Sequence, residues 1–250
     1  MRFTEDERRV YALIARSGGL KAREIAARLG LDRKEINRFL VSSALMREMC
    51  YQDHEYRWHA VIRQVFPHEG IYEFSGWYGT VREFVETGEA EWLSALESGC
   101  RRIGRNLNDT RGLIHSFLDC RKTMLRLFED LAGMMDGGFR DWEIAFEFRI
   151  NRARYIRIYS DVLVITGEKV FSLEFKMKDA IDPEEVLQAA KYAPALELVF
   201  GEDVIAALVL TGAADLYTYA PIGGTDSALP VCSGDMLFNV FDEYLHFLRE

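Results

Sequence analysis

The fold is decided by one stretch, which reads Asp161-Val-Leu-Val-Ile-Thr-Gly-Glu-Lys-Val-Phe-Ser-Leu-Glu-Phe-Lys176. A run of β-branched and apolar residues follows Asp161, a polar turn comes at 167–169, and a second apolar run returns from Val170. This order of run, turn and run predicts a β-hairpin.

The second strand of the hairpin is largely apolar but carries two charged residues, Glu174 and Lys176, whose presence packing alone does not explain. Side chains alternate between the two faces of a strand, so Glu174 and Lys176 share one face. We expect Leu173, Phe175 and Met177 to share the other face, in the core. Two carboxylates and a lysine at a strand end predict a site for a hard divalent cation, because Mg²⁺ prefers oxygen ligands. The alternative is a surface ladder of salt bridges on an edge strand.

The spacing of these residues resembles the D…ExK core of the PD-(D/E)xK nuclease superfamily, with Asp161 followed by Glu174-Phe-Lys176. Further on, Gln188-Ala-Ala-Lys-Tyr192 is similar to the Q-x-x-x-Y motif of the RecB-like members. The segment 142–150 resembles the strand that precedes the metal aspartate in that family, and the resemblance covers about residues 101 to 212. The chain departs from the family name at Ser160, which stands where the "P" of "P-D" would be.

The resemblance implies an α+β or α/β fold, in which helices flank a restriction-endonuclease-like mixed β-sheet. It implies a Mg²⁺- or Mn²⁺-dependent phosphodiester hydrolase, with metal ligands from Asp161, Glu174 and the backbone carbonyl of Phe175. Lys176 would position the attacking water or stabilise the transition state. Gln188 and Tyr192, four residues apart on a helix, share a face and would hold DNA backbone or steady the carboxylates. The alternative for that pair is a satisfied polar contact against the sheet.

A further carboxylate is expected from an upstream element. In 142–150 the apolar residues alternate with polar ones, which predicts a half-buried strand with Glu147 on the face of Asp161, as a metal ligand or as an exposed strand residue. The other upstream candidates are Asp119, Glu129 and Glu143. Lys178 lies on the face of Lys176 and would contact phosphate or solvent.

The N-terminal segment predicts a winged helix-turn-helix. A Thr4–Glu7 capping box opens the first helix, short helices follow at 21–29 and 33–43, and 49–58 reads as a two-stranded wing. Four polar residues on one side of the third helix are candidates for DNA contact: Arg33, Lys34, Asn37 and Arg38. The alternative is that this helix binds a protein partner or is simply solvated.

The chain is expected to contain a winged-helix domain at 1–62, a helical and aromatic bridge at 63–100, and a nuclease-like domain at 101–250. Within these we expect a helix at 77–85, and a helix from Asp182 that Pro194 limits to about Tyr192. The net charge of −9 is uneven, since residues 1–62 carry +3 and the remainder −12. Scattered cysteines and the lack of an apolar segment of roughly 20 residues predict a cytoplasmic protein outside the membrane.

These patterns together predict a nuclease, acting on DNA in phage defence or DNA repair, with the winged helix recognising DNA or a partner. A homodimer is expected for double-strand cleavage. The rival hypothesis is a non-catalytic DNA-binding regulator or assembly subunit, which would use the second domain for oligomerisation. DNA or RNA, single or double strand, and internal or terminal cleavage all stay open.

Overall fold

The computed structural model of the chain describes residues 4–15, 17, 19–60, 70–105, 107, 110–135, 137–150, 158–200 and 203–246. The N-terminal elements are α1 (Glu5–Ala15), α2 (Ala22–Leu29), α3 (Arg33–Ser42), α4 (Ala44–Met49) and the antiparallel strands β1 (Cys50–Gln52) and β2 (Trp58–Ala60).

Local sequence explains the ends of these helices. The Thr4 hydroxyl accepts from the backbone N–H of Glu7, and the Glu7 carboxylate accepts from that of Thr4, which completes the predicted capping box. Gly30 ends α2 with a φ of +67°, and Asp32 caps α3 by accepting from the backbone N–H of Lys34 at 2.6 Å. A bridge between Leu20 and Trp58 ties the start of α2 to the strand pair.

The rest of the described chain forms one large sheet and the helices around it. The elements are α5 (Ile71–Phe74), β3 (Trp77–Thr80), α6 (Val81–Glu86), α7 (Glu89–Arg102), α8 (Thr110–Met134), β4 (Glu143–Arg149), β5 (Tyr159–Ile165), β6 (Val170–Lys176), α9 (Pro183–Phe200), β7 (Val204–Leu210), β8 (Tyr217–Pro221), β9 (Ala228–Ser233) and α10 (Leu237–Leu245).

The sheet is mixed, with seven strands in the order β3-β4-β5-β6-β7-β9-β8. Strands β3 to β6 pair antiparallel, β6 to β7 and β7 to β9 pair parallel, and β9 to β8 pairs antiparallel. The predicted hairpin is confirmed as β5 and β6 at the centre of the sheet. Helix α9 is the crossover that returns the chain from β6 to the parallel neighbour β7.

Two apolar cores lie on the two faces of the sheet. One contains buried side chains from α6, α7, α8 and α10, such as Phe84, Trp92 and Phe241. The other contains α9 and extends without a break into the N-terminal helices. A salt bridge of 3.4 Å between Arg8 and Glu197 joins α1 to α9. No helix in the described ranges has the length and apolar character needed to cross a membrane.

Three local expectations are wrong. Residues 77–85 begin as strand β3 before α6, because Trp77 to Thr80 pair with β4. Helix α9 continues through Pro194 to Phe200, where its buried apolar face packs on the sheet and outweighs the missing N–H. Met177 lies beyond the end of β6 and is 59% exposed instead of in the core.

Strand β4 also departs from simple alternation. Ile144 and Phe146 enter one core, whereas Phe148 and Ile150 enter the other. The change of face comes at Glu147, whose φ is +52°. A strand residue in this left-handed conformation reverses the alternation of side chains, so the residues after it point the other way.

Candidate active site at the end of the central hairpin

Strands β5 and β6 place Asp161 and Glu174 side by side. The ladder between the two strands ends at the pair Val162 and Leu173, and Asp161 and Glu174 are the next residue on each strand. The Asp161 Oδ2 atom accepts a hydrogen bond of 2.8 Å from the backbone N–H of Phe175. The hairpin therefore brings together the two carboxylates that the sequence predicted as partners.

Glu174 is the centre of a hydrogen-bonded cluster. Its Oε1 atom accepts from Lys176 Nζ at 2.9 Å and from Gln188 Nε2 at 2.7 Å. The other oxygen, Oε2, is buried and has no hydrogen-bond partner among the described residues. Burying a carboxylate oxygen without a partner costs free energy of folding, unless a ligand binds to that oxygen.

Helix α9 supplies the amide and hydroxyl of the cluster. Asp182 caps this helix by accepting from the backbone N–H of Glu184 at 2.9 Å, and Pro183 occupies its first position. Gln188 and Tyr192 lie one turn apart on the inner face of α9. The Gln188 amide donates to Glu174 and also lies 3.1 Å from the Tyr192 hydroxyl. The structure thus brings together Asp161, Glu174, Lys176, Gln188 and Tyr192 as predicted.

Burial dominates the electrostatics of this cluster. It raises the pKa of Glu174 to about 8, with a further contribution from the negative charge of Asp161. Burial also raises the pKa of Asp161, although the Phe175 N–H and the charges of Lys176 and Arg105 act against the rise. For Lys176, burial lowers the pKa, but Glu174 and Asp161 outweigh it and the net pKa is raised. The lysine is therefore held as an ammonium beside Glu174, whose buried Oε2 atom has no hydrogen-bond partner among the described residues.

Glu147 lies on the neighbouring strand, between the pairs Phe146–Val162 and Phe148–Ser160, and hence opposite Asp161. Its side chain is only 5% exposed. Burial and the charge of Asp161 raise the pKa of Glu147 to about 8. Among the upstream candidates, Glu147 is the one that the sheet places beside Asp161.

Arg105 is a site residue that the sequence reasoning missed. Its Nε atom lies 2.8 Å from Glu147 Oε2, and its guanidinium stacks 4.6 Å from the ring centre of Tyr159. Its charge opposes the burial-driven rise in the pKa of Asp161, so it lies within electrostatic reach of the cluster. The available signal was the pair Gly104-Arg105 itself, which is too common a pattern to mark a site.

The remaining acidic candidates lie on other elements. Glu143 begins β4 and accepts a hydrogen bond of 2.6 Å from the Tyr78 hydroxyl. Asp119 and Glu129 lie on α8, along an open groove of about 800 Å³ that Met177 also lines. The residue after Asp119, Cys120, is near the site, because Asp161 and Glu147 add to the effect of burial in raising the pKa of its thiol.

Lys178 is paired with carboxylates of α9. Its Nζ atom lies 2.8 Å from Glu185 Oε1 and 3.6 Å from Asp182 Oδ2. The hydrogen bond to Glu185 raises the pKa of Lys178. A phosphate contact by this lysine would therefore compete with an existing ion pair.

The predicted DNA-contacting residues share the outer face of α3. Arg33, Lys34, Asn37 and Arg38 are all exposed, whereas Ile36 and Leu40 are buried. Arg38 forms a loose ion pair with Glu35 at 4.0 Å. This face presents a small basic surface to solvent.

The oxygen donors of the cluster suit a divalent cation of the Mg²⁺ type. In the part of the chain that the structure describes, no group of three or more His, Cys, Asp or Glu is arranged to hold a metal ion. The cluster instead offers oxygens from two carboxylates, Asp161 and Glu174, of which Glu174 Oε2 is buried and unpartnered. All-oxygen donors fit Mg²⁺, which keeps several waters and needs only one or two protein carboxylates.

Comparisons with known proteins leave the family open. No family model matches the chain, and no curated protein matches it. Among solved structures, it is similar to the crystal structure of protein VC1899 from Vibrio cholerae, at 10% identity and a TM-score of 0.29. The similarity covers 100% of this chain and 58% of that one.

Proposed function

We propose that the chain is a metal-dependent nuclease of the PD-(D/E)xK type that hydrolyses phosphodiester bonds, with DNA as its substrate. The observation that carries the proposal is the cluster around Glu174. Its Oε1 atom accepts from Lys176 and Gln188, whereas its buried Oε2 atom has no partner among the described residues. A bound cation is the ligand that would complete this carboxylate.

Asp161 and Glu174 would hold Mg²⁺ or Mn²⁺, together with the Phe175 carbonyl that the resemblance implies, and Glu147 would support them from β4. When bound, such an ion lowers the pKa of a coordinated water and neutralises charge on the phosphate. Lys176 holds an ammonium next to the reacting atoms, where it orients water and stabilises the negative transition state.

Gln188 has a positioning role in this proposal. By donating to Glu174 Oε1 and contacting Tyr192, its amide holds the carboxylate in one orientation and leaves Oε2 as the oxygen that a cation would bind. Preorganised carboxylates avoid the reorganisation that a mobile ligand would need on binding a cation.

Two features of the fold support the same proposal at a coarser level. An antiparallel hairpin, a crossover helix and a parallel strand follow each other in β5, β6, α9 and β7, within a mixed sheet flanked by helices of the kind that the resemblance implies. At the N-terminus, helices α1 to α3 and the pair β1–β2 fit a winged helix, which would present the α3 face to DNA or to a protein partner.

The test is cleavage of plasmid, linear duplex, single-stranded DNA and RNA, each with Mg²⁺, Mn²⁺ or EDTA. We expect metal-dependent cleavage by the unchanged chain and its loss in Glu174→Ala and Lys176→Ala. The matched control is Glu184→Ala, which removes an exposed carboxylate from the first turn of α9 and is expected to leave cleavage intact.

The rival, a DNA-binding regulator, predicts a different set of results. It would show salt-dependent DNA binding without metal, no cleavage, and no effect of Lys176→Ala. Calorimetry decides a negative cleavage result: metal binding that Asp161→Ala abolishes would retain the site, whereas no metal binding would refute it.

A further inference from the structure

The end of helix α7 fixes Arg105 beside the carboxylate cluster. The backbone N–H of Arg105 donates to Cys100 O at 2.8 Å, and that of Gly104 donates to Arg101 O at 3.2 Å. With the φ of +77° at Gly104, these two bonds form a Schellman cap in which Arg105 is the second residue past the C-cap residue, Ile103. The backbone of Arg105 is therefore set by the cap.

A close packing of glycines sets the position of this helix end. A Cβ atom on Gly99 would lie 1.7 Å from the carbonyl oxygen of Gly76, so α7 contacts the backbone just before β3. The N–H of Gly76 in turn approaches the carbonyls of Phe146 at 2.9 Å and Glu147 at 3.3 Å. Helix, strand edge and Glu147 are thus held together, and Arg105 is directed at the cluster by the fold.

Among the residues that the structure describes, the guanidinium of Arg105 has unused hydrogen-bonding capacity. Its contact with Glu147 is an ion pair without hydrogen-bond alignment, since Glu147 Oε2 has no hydrogen-bond partner among the described residues. Stacking on Tyr159 holds the plane of the group, and the side chain is 30% exposed whereas that of Glu147 is 5% exposed. An arginine carries five N–H donors in a flat fork that matches phosphate oxygens.

The guanidinium of Arg105 lies close enough to the proposed metal site to contact a bound substrate. Glu147 lies beside Asp161 on adjacent strands, so an anion on Arg105 would lie at the edge of the proposed metal site. An acidic cluster repels a polyanion, and a fixed cation at its rim offsets that repulsion. A residue needed only to neutralise Glu147 would instead be expected to bury its fork and hydrogen-bond the carboxylate.

We infer that Arg105 is a phosphate-binding residue, which contacts a backbone phosphate of the polynucleotide next to the bond that is cleaved. This inference rests on the proposed nuclease function. Glu147 and Tyr159 hold the guanidinium in place, and its remaining N–H groups form charge-assisted hydrogen bonds with the phosphate.

The experiment measures binding apart from catalysis, in EDTA, by fluorescence anisotropy of labelled single-stranded and duplex oligonucleotides over a series of salt concentrations. Removing Arg105 alone would leave a buried carboxylate without its ion pair and endanger folding. The comparison is therefore made in a Glu147→Gln background, which removes that charge and keeps the shape. Arg105→Ala is added to it, and Arg105→Lys serves as the charge-retaining variant.

We expect Arg105→Ala to weaken binding about tenfold in this background and to lower the salt slope by about 0.7 to 0.9, the loss of one phosphate contact. Arg105→Lys is expected to restore the slope. The matched control is Arg101→Ala, in the same segment, whose side chain is 66% exposed and pairs with Glu97 at 3.5 Å. It is expected to leave the affinity and the salt slope nearly unchanged, because its charge is exposed to solvent and already paired with Glu97.

The outcomes separate the inference from the function on which it rests. Equal affinity and slope with and without Arg105 would show that the residue only compensates Glu147, and the nuclease proposal would stand. If the Glu147→Gln protein and the unchanged chain bind no polynucleotide and cleave none with metal, the proposed function fails and the inference with it.

Discussion

Replacing Glu174 with glutamine is expected to stabilise the metal-free protein at alkaline pH while abolishing cleavage. The pKa of Glu174 rises from 4.5 to about 8 on folding. Between those pH values the folded protein binds more protons than the unfolded chain, so the free energy of unfolding falls as the pH rises. Glutamine cannot titrate, and its Oε1 atom can still accept from Lys176 and Gln188.

The size of the effect follows from this pKa. A rise of about 3.5 at about 1.4 kcal/mol per pH unit gives an upper bound of about 5 kcal/mol at pH 9. Glu147 and Asp161 titrate together with Glu174, so removing one carboxylate also eases ionisation of the others. We therefore expect Glu174→Gln to gain roughly 2–5 kcal/mol at pH 9 and little near pH 5.

The assay is urea unfolding in EDTA at intervals from pH 5 to pH 9, comparing the unchanged chain, Glu174→Gln and a Glu168→Gln control. Glu168 is an exposed carboxylate in the turn of the same hairpin. A free energy of unfolding for Glu174→Gln that stays parallel to that of the unchanged chain across this pH range would refute the reasoning. So would a loss of stability at pH 9.

Three further results are expected. In a thermal-shift assay, Mg²⁺ or Mn²⁺ should raise the Tm of the unchanged chain more at pH 8 than at pH 6, because the cation competes with protons for the carboxylates. Asp161→Asn should remove this gain, and equal gains at both pH values would contradict the prediction. Gln188→Ala should lower kcat of cleavage about tenfold with little change in KM for the oligonucleotide, because the Glu174 carboxylate loses the hydrogen bond that orients it. A change confined to KM would assign Gln188 to substrate binding instead. Gly99→Ala should destabilise the fold by about 3 kcal/mol in urea unfolding, since its Cβ would meet Gly76 O at 1.7 Å; a loss below about 0.5 kcal/mol would show that α7 shifts freely.

Much of the candidate site could be predicted because its signals are local. Alternation along a strand placed Glu174 and Lys176 on one face, and helical spacing placed Gln188 and Tyr192 on one face. The structure then joins the two pairs by the hydrogen bond from Gln188 to Glu174. These regularities depend on backbone geometry alone, so they can be predicted without knowing which other segments pack against the strand or the helix.

The errors arose where contacts from distant segments override a local pattern. Residues 77–80 became a strand because β4 offered an unpaired edge. Pro194 did not end α9 because burial of the helix outweighs one missing hydrogen bond. Residues 228–233 form strand β9 although Pro230 lacks an N–H, because the strand lies between β7 and β8 and is buried along most of its length.

The sequence by itself determined the hairpin, the amphipathic helices with their caps, and the residue types of a carboxylate and lysine site. These follow from side-chain period, capping chemistry and turn residues, which act within a few positions of the chain. Only the tertiary structure decided that Glu147 lies beside Asp161 and that Arg105 forms an ion pair with Glu147. It also decided that one oxygen of Glu174 has no hydrogen-bond partner among the described residues. The reason is physical: burial, pKa and ion pairing depend on which segments meet in space, and strand order and helix packing set those meetings.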